Sequence, residues 1–325
     1  MWYFQPRYRE LAEAFTEEYG IEVTIPEGTH TGNIEKMLAE RNRDVGDIDV
    51  LAMGSDRLST FDHEAVLFGP MRDILPGGEL LIDDLGGFEG HDYAFAYWGN
   101  QTGIAYDPEE VAAEDLPQTL AEMEAFWAEN PGRFGFNFEN GGSGPSFIQN
   151  MARNIVPDID YADGEVTDAK LDALQPVWDW FLENTDGYVI TASNTDSLVR
   201  LSGQEFYMVP AWEDHLFKLM SEGEVDDRIE FYIPDWGHNG GGNVNVIPAN
   251  APNPAAALLF MSWVTSAETQ TTFNQVFGAA PMHPEADDSF ALIPNEMRAN
   301  SRNWPGSPFG SEITASFIEN VALER

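Results

Sequence analysis

The apolar positions of this chain follow two rhythms, one helical and one of strands, and the rhythm switches repeatedly. Tyr8, Leu11, Phe15 and Tyr19 recur at helical spacing and Gly20 can supply a left-handed stop, so residues 7–19 are expected to form a helix. Ile21 to Ile25 alternates apolar and polar residues like a strand with one buried face. Ile34, Met37 and Leu38 mark a second helix after the turn at residues 28–32, and Ile48 to Met53 reads as the next strand. This alternation predicts parallel α/β architecture, with ligands bound at loops that leave the carboxyl ends of strands.

The pattern continues to the end of the chain. Thr119 with Glu122 forms a capping box, and Leu120, Met123, Phe126 and Trp127 give its helix an apolar face. A strand at 133–138 leads through the Gly-rich turn at 140–144 into a helix carrying Phe147, Ile148, Met151 and Ile155. A further helix is expected over 168–183, strands near 205–210, 229–234 and 243–248, and helices near 254–278 and 312–322. No internal repeat or low-complexity linker appears, so a chain of two lobes would cross between them on strands.

Composition changes the picture in one respect. The 325 residues suffice for two lobes of about 150 residues each, and 43% apolar with 12% aromatic residues indicate a packed core. The formal charge is −40, with 56 acids and only Lys36, Lys170 and Lys218 as lysines. The acids are spread along the chain, which reads as a surface adapted to very high salt, where a Debye length of about 3 Å screens self-repulsion. The lack of a basic patch argues against nucleic-acid binding. Without cysteine there is no disulfide or thiolate nucleophile, and no run of 18 apolar residues is present to span a membrane.

Four segments, in order along the chain, carry a family likeness. Residues 93–111 hold Tyr-Trp-Gly-Asn followed by Gly-Ile-Ala-Tyr-Asp, and residues 202–212 hold Gly-Gln-Glu-Phe-Tyr-Met-Val-Pro-Ala-Trp. Residues 247–270 join an Ile-Pro-Ala-Asn-Ala-Pro-Asn elbow to a helix with Phe260 and Trp263 and a Ser-Ala-Glu-Thr-Gln break. Gly278-Ala-Ala-Pro-Met-His283 follows. Together these resemble the family 1 extracellular solute-binding proteins of ABC importers, with Gln204 standing where that family usually has Glu. The resemblance implies an α/β fold of the two-lobed type II periplasmic-binding kind, closing on its ligand by a hinge-linked cleft. It implies one lobe of 1–104 plus 239–300, a second of 105–238, and a C-terminal helix in 301–325 packing on the lobes.

Among branches the resemblance is nearest to the polyamine-binding type, because Trp2 and Tyr3 sit where that branch has cleft aromatics at the end of its first strand. The adjacent tyrosines of ferric-ion branches do not occur, which disfavours iron. Receptors of this family are exported, so a leader and most of a first strand are expected upstream of Met1. The expected partners are a small-molecule solute and the transmembrane permease subunits of an importer, with no cofactor and a monomeric receptor.

Candidate ligand groups follow from these positions. Trp98, Trp212 and Trp236 stand at strand ends beside Gly or acids, and with Trp2 and Tyr3 could stack on a sugar or hold an organic cation. Each tryptophan reads equally well as core. Glu213 and Asp214 can pair with an amine or simply cap a helix. Gly54, Ser55 and Asp56 follow a strand, where the family places small polar contacts. Gly142 and Ser143 offer backbone amides at a helix N-terminus, and Thr31 and Asn100 complete the set.

Chemistry beyond capture finds little support. The six histidines show no ligand spacing, and Gly142-Ser-Gly-Pro is not a nucleophile elbow. The turn at 140–144 lacks the lysine of a phosphate-binding loop. A carboxylate-based glycoside hydrolase remains as an alternative because carboxylates are everywhere. The expectation is an exported receptor for a small polar or cationic solute, a polyamine-like organic cation being favoured over an oligosaccharide.

Overall fold

The computed structural model describes residues 6–324 apart from 27, 83, 84 and 86. Among these the helices are α1 (Pro6–Tyr19), α2 (His30–Glu40), α3 (His63–Val66), α4 (Leu120–Glu129), α5 (Ser143–Ile155), α6 (Asp168–Ala173), α7 (Gln175–Glu183), α8 (Asn194–Ser202), α9 (Glu213–Ser221), α10 (Pro254–Val264), α11 (Ala267–Phe277) and α12 (Phe309–Phe317). The strands are β1 (Leu51–Gly54), β2 (Ala94–Tyr106), β3 (Phe134–Phe136), β4 (Tyr188–Ile190), β5 (Met208–Trp212), β6 (Glu230–Tyr232), β7 (His238–Val246) and β8 (Ser301–Arg302). The chain forms two compact units. Unit 1 comprises Met1–Gly99, Gly242–Val276 and Ala280–Ser289; unit 2 comprises Asn100–Gly241, Phe277–Ala279 and Phe290–Arg325. The long strands β2 and β7 carry the chain from one unit into the other.

In unit 1, α1 buries Tyr8, Ala12 and Phe15 on one stripe, and Phe15 meets Phe260 at 5.3 Å and Trp263 at 5.5 Å. Gly20 ends the helix at φ 68°, where any side chain would be strained. β1 pairs antiparallel with β7, Leu51 opposite Val246 and Gly54 opposite Asn243. Met71, Phe95, Ile247 and Met261 pack together as a second patch of core. The strand expected at residues 21–25 is not in a ladder. These residues line a groove of about 540 Å³ together with residues 47–52. Alternation alone does not make a strand; among the described residues this one has no neighbour to pair with.

Unit 2 is built on a mixed sheet. The second half of β2 pairs antiparallel with β5 and β6, and β3 pairs parallel with β4 and β5. The antiparallel pairs all involve β2 or β7, which enter from the other unit and so need no crossover helix. The α/β architecture expected from the sequence is present, with the parallel pairs confined to β3, β4 and β5 and, at the other end of the chain, to β7 and β8. Phe134, Phe136, Phe147, Phe181, Tyr188 and Phe317 form a continuous aromatic core, for example Phe134 to Phe147 at 5.1 Å and Phe181 to Phe317 at 5.0 Å. The helix expected over 168–183 is two, α6 and α7, because Pro176 stands in the first turn of α7 and cannot donate to an earlier carbonyl.

The unit boundaries differ from the expected lobe boundaries. The chain changes unit at Gly99/Asn100 and at Gly241/Gly242, inside the strands. Residues 290–300, expected with the first lobe, belong to unit 2, because Ile293 packs in its core and Arg298 pairs with Glu213. The C-terminal helix also packs in unit 2, where Phe309, Ile313 and Phe317 are buried. Among the described residues no helix is long and apolar enough to cross a membrane.

Candidate functional site

The richest cluster of candidates lies in unit 2, at the end of β5. β5 delivers Trp212 to the start of α9, and the indole remains half-buried. One face of Trp212 stacks on Trp304, ring centroids 5.5 Å apart and planes 18° from parallel. Its benzene edge lies against Gly142, where an added Cβ would stand 2.9 Å from the ring. Offset stacking of this kind is favourable by about 0.5–1.5 kcal/mol beyond area burial, so the two indoles form one fixed aromatic platform.

The Gly-rich turn beside this platform is held by Asn194, the first residue of α8. Asn194 Oδ1 accepts from Ser143 Oγ at 2.7 Å and from Ser143 N at 3.4 Å. Asn140 Nδ2 in turn donates to Ala192 O at 3.0 Å. Ser143 itself is fully buried, so its hydroxyl serves the turn. Asp214, half-buried, follows Trp212 by two residues in the first turn of α9, where a carboxylate is favoured by the helix dipole.

Glu213 is placed differently from its expectation as a ligand group. It is 1% exposed. Its Oε1 accepts from Arg298 Nη2 at 2.9 Å and from Leu292 N at 3.0 Å. Burial pushes its carboxyl pKa up, and Arg298 works against that shift. The carboxylate is therefore committed to pinning the 290–300 segment. Trp236 is likewise 4% exposed and belongs to the unit 2 core.

Also in unit 2, β7 begins with a buried polar network. His238 is fully buried, with Nδ1 3.3 Å from Thr102 Oγ1 and 3.4 Å from Ser146 Oγ. Those two hydroxyls are 2.6 Å apart. Burial pushes His238 down to about 3, so the ring is neutral, and among the described residues its Nε2 has no hydrogen-bond partner.

In unit 1, Gly54 ends β1 opposite Asn243, and Ser55 is buried beside it. Asp56 is ion-paired with Arg57 at 3.0 Å. Burial raises the Asp56 pKa and Arg57 opposes the rise. Thr31 is exposed in the first turn of α2, whose cap is Thr29. Trp98 is core, 2% exposed between Tyr8 at 6.5 Å and Phe273 at 5.6 Å. Asn100 lies in β2, and its side chain is outside what is described; Trp2 and Tyr3 lie outside the described residues altogether.

Of the separately named candidates, the structure brings Gly142, Ser143, Trp212 and Asp214 into one neighbourhood, together with Trp304 and Asn194, which the sequence reading did not name. Trp304 stands alone before Pro305, outside every periodic segment. Its one signal is a large aromatic in a Pro/Gly-rich loop. Asn194 was marked only by the helix-start pattern Ser193 to Asp196. Among the described residues no three His, Asp or Glu side chains gather as metal ligands.

Comparison with known proteins agrees with this architecture. Substrate-binding protein PotD of a spermidine/putrescine ABC transporter from Streptococcus pneumoniae superposes with a TM-score of 0.71 at 13% identity, covering 96% of this chain and 94% of that one. Iron-bound HitA from Pseudomonas aeruginosa superposes with a TM-score of 0.68 at 18% identity, covering 96% and 95%. The periplasmic binding protein AfuA from Actinobacillus pleuropneumoniae, with fructose-6-phosphate bound, gives 0.64 at 16% identity, covering 97% and 95%. These likenesses establish the two-lobed α/β fold of periplasmic binding proteins. No curated protein matches the sequence. The model of the bacterial extracellular solute-binding proteins matches residues 10–299. These are receptors and not enzymes, which removes the glycoside hydrolase alternative, and the chain belongs to the bacterial extracellular solute-binding protein family.

Proposed function

We propose that this receptor captures a polyamine-like organic cation and delivers it to the permease of an ABC importer. The observation that carries the reading is the Trp212–Trp304 stack in unit 2. Ring faces attract a cationic nitrogen by about 0.5–2 kcal/mol each, more when water is excluded. Asp214 beside the platform supplies a formal negative charge. In molar salt a distant charge steers nothing, so selectivity for a cation has to come from groups in contact with it.

The same platform would suit an oligosaccharide, whose apolar ring faces also stack on indole. A thermal-shift screen in molar salt against polyamines, quaternary amines, sugars, amino acids and oxyanions separates the two. A ligand at about 100 times its dissociation constant adds roughly 2.7 kcal/mol of stability. The expected outcome is a rise in melting temperature with polyamines that is lost in Trp304→Ala. A rise with oligosaccharides alone would overturn the cation reading in favour of the sugar.

A further inference from the structure

Most basic residues of this chain hold a carboxylate. Arg228 holds Asp107 and Asp226, Arg200 holds Glu205 and Asp196, and Arg43 holds Glu40 and Asp47. Arg72, Arg298 and Lys218 each hold an acid as well. With 56 acids for 16 basic residues, an arginine without a carboxylate goes against the whole composition.

Two such arginines of unit 2 neighbour Asn239, one by a side-chain bond and the other as its partner in the strand ladder. Arg153, half-buried on α5, donates from Nη1 to Asn239 Oδ1 at 2.9 Å, and its guanidinium lies 5.4 Å from the Tyr161 ring centre. Arg302, exposed on β8, is the register partner of Asn239 in the parallel β7–β8 pair. Neither guanidinium has a carboxylate partner among the described residues. Asp235 meets Arg302 only through its main-chain oxygen, at 3.5 Å, and its carboxylate accepts from Asn300 Nδ2 at 3.0 Å.

The electrostatic consequence is visible on Arg153. Burial lowers its pKa to about 10, and the positive charge of Arg302 adds to the lowering while Tyr161 opposes it. Two like charges held near one another, one of them partly desolvated, are unfavourable unless an anion joins them. Asn239 cannot do so. Its Oδ1 already accepts from Arg153 and Asn150, and its Nδ2 donates to Gln149 at 2.6 Å. The Arg153 fork has five N–H donors and, among the described residues, gives one to the protein. The rest of the fork, fixed in direction by Tyr161 on one side and Asn239 on the other, suits a bidentate oxyanion.

We propose that Arg153 and Arg302 form a binding site for a tetrahedral oxyanion, phosphate or sulfate, on unit 2. Arg153 supplies the oriented fork and Arg302 the second charge from the neighbouring strand. The site is independent of which solute the receptor transports.

The test is a titration of inorganic phosphate into the whole protein in molar sodium chloride, read by broadening of the phosphorus-31 resonance. Saturable broadening is expected for the native chain, with affinity at least tenfold weaker in Arg302→Gln and in Arg153→Lys. Arg302 is exposed, so its replacement leaves the core intact and keeps the test valid should the Arg153 variant fold poorly. Absence of saturable broadening in the native protein would overturn the proposal. So would equal affinity in native and Arg302→Gln protein, or loss of the signal in Trp304→Ala with retention in Arg302→Gln, which would place the anion elsewhere.

Discussion

Units 1 and 2 differ in how their polar and apolar groups are finished. Unit 2 surrounds its sheet with aromatic rings and buries polar groups freely, each in a network or an ion pair: His238 with Thr102 and Ser146, Glu213 with Arg298. Unit 1 keeps its ion pairs nearer solvent, as at Arg72 and Asp92, which are 22% and 42% exposed. It also leaves a groove beside β1 along residues 21–26. In a low-dielectric interior each satisfied hydrogen bond is stronger and each unpaired polar group costlier, so buried polar networks make that region sensitive to loss of any one partner. Unit 2 should accordingly be the more cooperative region and the more easily damaged by a single polar change.

The largest expected effect is in hydrogen exchange. Val209 in β5 is laddered to Ala105 and fully buried, so its amide should exchange only by opening at close to the global stability, about 5–15 kcal/mol. Val23, in the lining of the groove and without a ladder partner among the described residues, should exchange many orders of magnitude faster. Equal protection of the two amides would break the comparison.

Ion pairs sharpen it. Glu213→Ala leaves Arg298 without its carboxylate in a largely buried place, and the expected loss is about 3–5 kcal/mol. Asp92→Asn, which removes the charged partner of Arg72 in unit 1 and still tolerates the left-handed backbone there, should cost no more than about 1 kcal/mol. Urea midpoints of the two variants measure the difference directly. Similar losses would mean that the buried pair gains nothing from its surroundings.

Acid should act through His238. Its imidazole takes a proton near 6.5 when unfolded but only near 3 in the folded chain. Between those values the unfolded chain binds more protons, so stability falls as pH drops through the window. At pH 4 the loss from this one group is roughly 3 kcal/mol. Many carboxylates titrate there too, so the informative quantity is the difference from His238→Gln, whose stability should fall less steeply between pH 6.5 and 4. Identical slopes would show that His238 is hydrated or partnered in solution.

How far the sequence carried depended on whether a feature was local. The stop at Gly20, the box at Thr119 and the faces of α1 and α5 rest on contacts within a few residues, and periodicity displayed them. The failed strand at 21–25 shows the limit, since its alternation is real but its status depends on a neighbour far away in the chain. The site divides the same way. The turn at 140–144 and Trp212 could be read from composition, whereas Trp304 gains meaning only by stacking across some ninety residues of chain. Glu213 misled because an acid after a strand looks the same whether it faces solvent or Arg298.

Helix caps give the smallest contrast and the cleanest one, because they alter no core packing. In unit 2, Thr119 Oγ1 accepts from Glu122 N at 3.3 Å, while Glu122 Oε2 accepts from Thr119 N at 3.0 Å and from Gln118 N at 2.8 Å. Those bonds hold the Glu122 carboxyl below its ordinary range. In unit 1, Thr29 Oγ1 accepts a single bond, from Gly32 N at 3.0 Å. Cap removal costs about 0.5–2 kcal/mol, and the reciprocal box should sit in the upper half of that range. Thr119→Ala is therefore expected to cost about 1–1.5 kcal/mol and Thr29→Ala about 0.5 kcal/mol, both read from urea midpoints at neutral pH. Thr119→Ala combined with Glu122→Ala should cost less than the sum of the singles, since either change alone already opens the box. Additive losses would show that the two bonds form independently, and would reduce the difference between the units to core packing and buried charge.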